Sequence, residues 1–263
     1  MKQFFIRILL TDCKRAFLSW RFALSILLGG LVCYFTLLFC GPYRRDTLYD
    51  FMLLHDRSQV FLAYIVGILS YSLCFYDDFE YGNIKNVVSR IKIREYVTAK
   101  TIAALASSMS AFVLGKFLFI AIYSLNHPFV LPDTLTTSSA SVRLYYNLLL
   151  QQHYILYFVL TCLQKSFFIG VLCQIVMLVS VVIPNKAVVF SIPIAVFYIL
   201  SFYINAKMGM TDALDLSRIF DGYSRIWEND MANFLYSLCI GMVAYIFLYY
   251  LTLRVIRKKV SSE

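Results

Sequence analysis

The chain has 263 residues, of which 60% are hydrophobic and only 15% charged, with a mean hydropathy of +0.72 and a formal net charge of +9. A water-soluble domain carries roughly a quarter charged residues and about half apolar ones, so this composition excludes a domain whose whole surface faces water. The excess apolar surface is expected to face a lipid bilayer, in a single transmembrane domain over residues 1–263.

In chain order, the first expected element is a helix. Phe5, Ile6, Leu9, Leu10, Cys13, Ala16 and Phe17 project to one side of it and Arg7, Thr11, Lys14 and Arg15 to the other. Such a basic amphipathic segment lies in the membrane interface, either as a plain anchor or as a part that passes motion between a partner and the spans. A signal peptide is the competing reading of the first forty residues. Its charged region would be too long, and no small-residue cleavage site follows the apolar run.

Apolar runs of roughly 17 to 25 residues mark membrane-crossing helices. They predict six spans, near 22–40, 60–75, 102–125, 154–183, 187–204 and 234–253. The fourth run is too long for one simple crossing. Its Gln164-Lys165-Ser166 step predicts a break, with Phe167–Ile183 at lipid depth and Tyr154–Leu163 as an outer or interfacial extension. The seven cysteines, Cys13, Cys33, Cys40, Cys74, Cys162, Cys173 and Cys239, stand mostly inside apolar runs without a CxxC pair. They read as small buried side chains, not as a disulfide framework or metal ligands.

Cytoplasmic segments carry an excess of Lys and Arg. With the N-terminus inside, fifteen basic residues fall on inner segments and seven on outer ones. Both termini are therefore expected in the cytoplasm, and the net positive charge follows from topology. It gives no reason to expect a nucleic-acid partner, because the chain has no polar, aromatic-interleaved basic surface.

The inner segment between spans two and three is the most structured of the connections. After the breaker Gly82, Ile84, Val87, Val88 and Ile91 recur at helical spacing, with Lys85, Asn86, Ser89 and Lys92 on the opposite face. A short helix with an apolar ridge and a basic back can seat in a groove of another protein, or pack on its own bundle or on lipid headgroups. The outer connections differ. Residues 126–153, with Pro128, Pro132 and a Ser/Thr-rich run, read as irregular, and residues 205–233 are expected to hold short helices near the outer surface.

No phosphate-binding GxxxxGK[ST] loop, HExxH or GxSxG occurs, and no Asp or Glu falls within an expected span, which weighs against a proton-coupled carrier. Two lysines do fall within spans, Lys116 and Lys165. Each either snorkels to the interface or, with Gln164 and Gln174, lines a polar substrate pathway.

The run Asp78-Phe79-Glu80-Tyr81-Gly82-Asn83-Ile84-Lys85-Asn86, followed by Arg90 or Arg94, Tyr96 and Lys100, resembles the region after the second span in ABC-2 type permeases of Gram-positive bacteria. The stretch Val181-Val182-Ile183-Pro184-Asn185-Lys186, with Pro193 in the next span, is similar to that family too. One departure is Val88-Ser89-Arg90, where family members commonly carry Gly before the Ser-Arg pair. The resemblance implies an all-α polytopic permease with an interfacial N-terminal helix and a cytoplasmic coupling helix between spans two and three. It implies a non-enzymatic subunit of an ATP-binding-cassette exporter in a bacterial cytoplasmic membrane, paired with a second permease copy and a soluble ATPase subunit that binds ATP and Mg. Asp78, Glu80, Gly82, Ile84, Lys85, Asn86, Val87, Val88, Arg90, Ile91 and Arg94 would then couple to that ATPase. An ATP-independent carrier and a non-transporting scaffold or sensor are the alternative readings.

Overall fold

The computed structural model describes residues 2–39, 46–55, 61–82, 84, 91–131, 134, 143–183, 185–199, 219–220, 227 and 229–262. Among these residues there is no β-strand. The helices are α1 (Lys2–Phe17), α2 (Trp20–Phe39), α3 (Thr47–His55), α4 (Phe61–Ile68), α5 (Cys74–Glu80), α6 (Ile93–Ser124), α7 (Tyr146–Leu150), α8 (Tyr154–Val182), α9 (Lys186–Tyr198) and α10 (Asp230–Ser262).

Four of them, α2, α6, α8 and α10, are long and apolar enough to cross a membrane. At about 1.5 Å per residue, their 20, 32, 29 and 33 residues reach or exceed the roughly 30 Å hydrocarbon core. Their faces are inverted relative to a soluble helix. On α10 the small polar Asn233, Ser237 and Thr252 are buried, while Leu235, Met242, Val243, Ile246, Phe247 and Tyr250 are exposed. On α2, Ser25, Gly29, Gly30, Cys33 and Thr36 turn inward while Leu27, Leu31 and Phe35 turn outward. Large apolar side chains outside and small ones inside suit a lipid solvent, in which close packing drives helix association. The chain is an all-helical, multi-pass membrane protein.

The core is built by α6 against α2 and α8, and by α8 against α10, with α1 lying along α6. Small residues allow the closest approach. Gly29 and Gly30 of α2 meet Gly115 of α6 backbone to backbone, and a Cβ on Gly115 would stand 3.1 Å from the Ile26 carbonyl oxygen.

Several expected boundaries change. The 60–75 run is not one helix: α4 spans only eight residues, and residues 69–73 form turns before α5 begins. In that break Ser70 lies 3.3 Å from Ser107, and Tyr71 donates to Asp12 at 3.1 Å. Polar side chains with tertiary partners thus replace an uninterrupted apolar rod. Conversely, the break expected at Gln164-Lys165-Ser166 does not occur, and α8 runs unbroken through it. Ser166 folds its hydroxyl back on the Leu163 carbonyl of the same helix at 2.7 Å, and Gln164 is satisfied by residues outside the helix, so neither polar side chain requires the helix to open. The third span begins at Ile93, well before the expected 102. The 187–204 run is helical as α9 up to Tyr198, and residues 200–204 lie outside the described ones.

The connection after α2 holds a helix that periodicity did not reveal. Asp46 is the N-cap of α3, accepting from the Tyr49 amide at 2.8 Å and from the Leu131 amide and Thr134 hydroxyl across the loop. It fastens α3 to the segment after α6, so that Leu48, Phe51 and Leu54 are fully buried. Phe51 packs edge-on against Phe158 of α8 at 4.8 Å.

Candidate functional site

The beginnings of α2, α6 and α9 and the ends of α8 and α10 converge on α5, forming one basic end of the bundle. The sequence of α5, Cys74-Phe75-Tyr76-Asp77-Asp78-Phe79-Glu80, explains why. Cys74 and Phe75 are buried and anchor the helix in the core. The next residues point in different directions, as a helical turn requires. Each meets a different long helix. Asp77 pairs with Arg21 of α2 at 3.0 Å. Asp78 pairs with Lys100 of α6 at 2.9 Å and accepts from the Tyr96 hydroxyl. Phe79 presents its ring 4.1 Å below the ammonium of Lys259 of α10. Glu80 pairs with Lys186 of α9 at 3.2 Å, and that ammonium also lies 4.9 Å from the Tyr76 ring.

The helix ends at Tyr81 and Gly82. Gly82 has φ +67°, a left-handed conformation that glycine adopts without a side-chain penalty, and its amide donates to the Phe79 carbonyl at 3.2 Å. Gly82 is thus the breaker that the sequence predicts.

The pairs differ in depth, and depth sets their strength. Arg21 and Asp77 have side chains 46% and 27% exposed, and such surface pairs contribute about 0–1 kcal/mol. An Arg21→Gln protein is expected to melt within about 2 °C of the parent in a detergent thermal-unfolding assay. A larger fall would show that this pair is part of the buried network.

Lys100 is different. Its side chain is 4% exposed, and the ammonium reaches Asp78 and, at 3.6 Å, Asp12 of α1, whose own side chain is 6% exposed. Tyr71 donates to the same Asp12 oxygen, and the rings of Tyr71 and Tyr96 lie 5.7 and 5.4 Å from the ammonium. One cation therefore holds two carboxylates, and through them joins α1, α5 and α6. Next to it, burial and then the Asp12 charge push the Cys13 thiol up.

Of the residues expected to couple to a partner, Asp78, Glu80 and Gly82 are in this cluster, together with Tyr96 and Lys100 of the family-like run. Ile84 is buried and Ile91 half-buried, whereas Arg94 is exposed in the first turn of α6. Lys85, Asn86, Val87, Val88 and Arg90 lie outside the described residues. Asn185 caps α9, accepting from the Ala187 amide at 3.0 Å, and the Val181 carbonyl accepts from Lys259 at 2.8 Å. Both family-like stretches therefore meet at the basic end.

Asp12 belongs to neither face of the expected amphipathic pattern, whose polar side is Arg7, Thr11, Lys14 and Arg15. A single acid on the apolar side of α1, one turn from Ala16 and from Ile8, was the signal available. Its inclusion also moves the buried face: Asp12 and Ala16 are buried, while Ile6 and Leu10 are about half exposed.

The expected pathway residues divide. Lys116 and Lys165 are each 2% exposed, and neither ammonium snorkels to the surface. Gln164 is held by the Tyr145 hydroxyl and the Ile219 carbonyl, and Gln174 lies 3.4 Å from Thr252 of α10. Each glutamine thus fastens α8 to another segment. The Lys116 ammonium has no hydrogen-bond partner among the described residues and lies 6.0 and 5.7 Å from the Phe51 and Phe112 rings, and a ring face returns about 0.5–2 kcal/mol against the several kcal/mol that burying an ammonium costs.

Compared with family models, curated proteins and solved structures, the chain matches none.

Proposed function

We propose that this chain is the membrane-spanning permease subunit of an ATP-binding-cassette exporter, moving its substrate across a bacterial cytoplasmic membrane with ATP hydrolysed by a separate subunit. The observation that carries this reading is the acidic turn of α5. It opens the family-like run and contacts α2, α6, α9 and α10 at once. A partner that grips residues 83–91 and moves them would pull on α5. Through these pairs the pull reaches four helices. Such a device works only if the partner contacts differ between two states, and a nucleotide-driven ATPase supplies that difference. ATP and Mg are bound by the partner, and this chain supplies no catalytic residue. In this reading α4 and α9 complete the second and fifth of six crossings, two permease copies form the pathway, and the basic end with both termini faces the cytoplasm.

Co-purification tests the partnership. The tagged chain is expected to retain a soluble phosphate-loop ATPase encoded beside it, and Val87→Asp with Val88→Asp is expected to release that subunit and abolish ATP-dependent export. Unchanged assembly and export in the double variant would remove the coupling assignment. An alkaline phosphatase reporter fused after Asn126 is expected to be active and one fused after Glu263 inactive. The reverse pattern would invert the orientation. An ATP-independent carrier or a scaffold would transport or assemble without any such ATPase.

A further inference from the structure

At the basic end of the bundle, two hollows of opposite character share Arg21. One, of about 240 Å³, lies between α2 and α4 and is walled by Leu24, Leu28, Val66, Leu69 and Leu73, with Arg21 and Lys186 completing it. The other, of about 200 Å³, is lined in part by Arg15, Trp20, Arg21, Tyr71 and Asp77. The first is apolar but for its two cations. The second is polar and carries two arginines.

The apolar hollow follows one face of a helix that is long enough to cross a membrane. Arg21, Leu24 and Leu28 stand at i, i+3 and i+7 on α2, so they line up on one side of it. Leu24, Leu28, Val66 and Leu69 are each half-buried, which makes their surface an open furrow and not closed core. Seven residues of helix cover about 10 Å, so the furrow descends from the cations toward membrane depth. Trp20, beside Arg21, is 70% exposed, and an exposed indole favours the boundary between headgroups and acyl chains. The polar hollow therefore lies at headgroup level.

Charge fits the same picture. Asp77 is the acid on the wall of the polar hollow, and a single nitrogen of the Arg21 guanidinium holds it at 3.0 Å. Arg15 is exposed and has no ion pair among the described residues. Two arginines against one carboxylate leave one positive charge, which the single negative charge of a phosphodiester matches. Lys186 adds none, since Glu80 neutralises it. A water-soluble anion would use the arginines and leave the furrow bare, and a soluble protein does not reach into a bilayer along α2. A lipid with an anionic head uses both hollows, as basic pockets between membrane-crossing helices do.

We propose that the two hollows form one binding site for an anionic phospholipid of the leaflet at the basic end, with its phosphate between Arg15 and Arg21 and one acyl chain in the furrow between α2 and α4. The site rests on the multi-pass bundle and stands without the permease reading.

The test follows thermal unfolding of the purified full-length chain, delipidated in dodecyl maltoside without any ATPase. Dioleoyl phosphatidylglycerol, dioleoyl phosphatidylcholine and glycerol phosphate are titrated separately. Phosphatidylglycerol is expected to raise Tm saturably, by roughly 5–10 °C at a hundredfold excess over Kd. Phosphatidylcholine has the same chains without net charge and glycerol phosphate has no chains, so each is expected to give well under half of that rise. Arg15→Gln is expected to weaken Kd for phosphatidylglycerol about fivefold, and Arg15→Gln with Arg21→Gln about twentyfold. Arg257→Gln, an exposed position of α10 outside both hollows, removes the same charge and is expected to leave Kd unchanged. Arg15 is exposed and unpaired, so its variant folds and keeps the test open even if the double variant does not. Equal rises with both lipids, no saturable rise with phosphatidylglycerol, a full rise with glycerol phosphate, or a Kd that Arg15→Gln leaves unchanged or changes no more than Arg257→Gln does would overturn the site. A second copy covering this face would show as a detergent-stable dimer that Arg15→Gln splits, and that result would overturn it too. Failure here leaves the permease reading intact, and loss of the ATPase partner in co-purification leaves this site intact.

Discussion

Replacing Lys100 with Met is expected to destabilise the chain by about 3–5 kcal/mol, the usual cost of removing one partner from a buried ionic cluster. The substitution leaves Asp12 and Asp78 facing the same space without a cation, and it also removes the ammonium over the rings of Tyr71 and Tyr96. The size of the effect comes from the charges left behind. The triple variant Lys100→Met, Asp12→Asn, Asp78→Asn is therefore expected to recover most of the loss, because it leaves no unpaired charge. Thermal unfolding of the three proteins in one detergent measures this. Equal melting of Lys100→Met and the parent would mean that the cluster is solvated and does not join α1, α5 and α6. If the permease reading holds, the triple variant should fold but export poorly, since the neutral cluster no longer ties α5 to α6.

Gly115→Leu is expected to be the most damaging small-to-large change, at about 3 kcal/mol. The physical reason lies in what its side chain would meet. Its Cβ would stand 3.1 Å from the Ile26 carbonyl oxygen and 3.4 Å from the Gly29 Cα, both backbone atoms, which cannot rotate away as a side chain can. The larger residue must separate α2 from α6, and with them the Arg21 and Lys100 ends that α5 holds together. Gly241→Ala serves as the contrast. Its Cβ would make an ordinary 3.5 Å contact with the Phe167 Cβ, and alanine favours a helix over glycine by up to about 1 kcal/mol. That protein should melt at or slightly above the parent temperature. Similar losses in both variants would show that helix propensity, not the α2–α6 approach, governs these positions.

The two predictions probe features of unequal visibility. The small residues of the α2–α6 crossing stand in plain view in the sequence, but nothing local says that Gly29 faces Gly115. The family-like run drew attention to Asp78, Tyr96 and Lys100 before any contact was known, and these three do share one cluster. Asp12, Arg21 and Lys259 carried no such mark, because their partners lie on other helices. Lys116 and Lys165 were recognisable as costly charges at membrane depth. Whether they reach the surface depended on how α3 and α8 close over them, and α3 itself has no strong apolar period.

The sequence by itself determined the solvent and the main axes: an apolar composition with few charges inside the long apolar runs requires a bilayer, and those runs make α2, α6, α8 and α10 helical because a buried backbone must satisfy its own hydrogen bonds. It also determined that one end of the bundle is strongly basic. Only the tertiary structure decided that the second run breaks into α4 and α5, that the fourth does not break, and that Lys100 serves two carboxylates while Lys116 faces aromatic rings. Composition and period are properties of neighbouring residues and survive in a string of letters. The pairing of charges is a property of distance between helices, which exists only once they have packed.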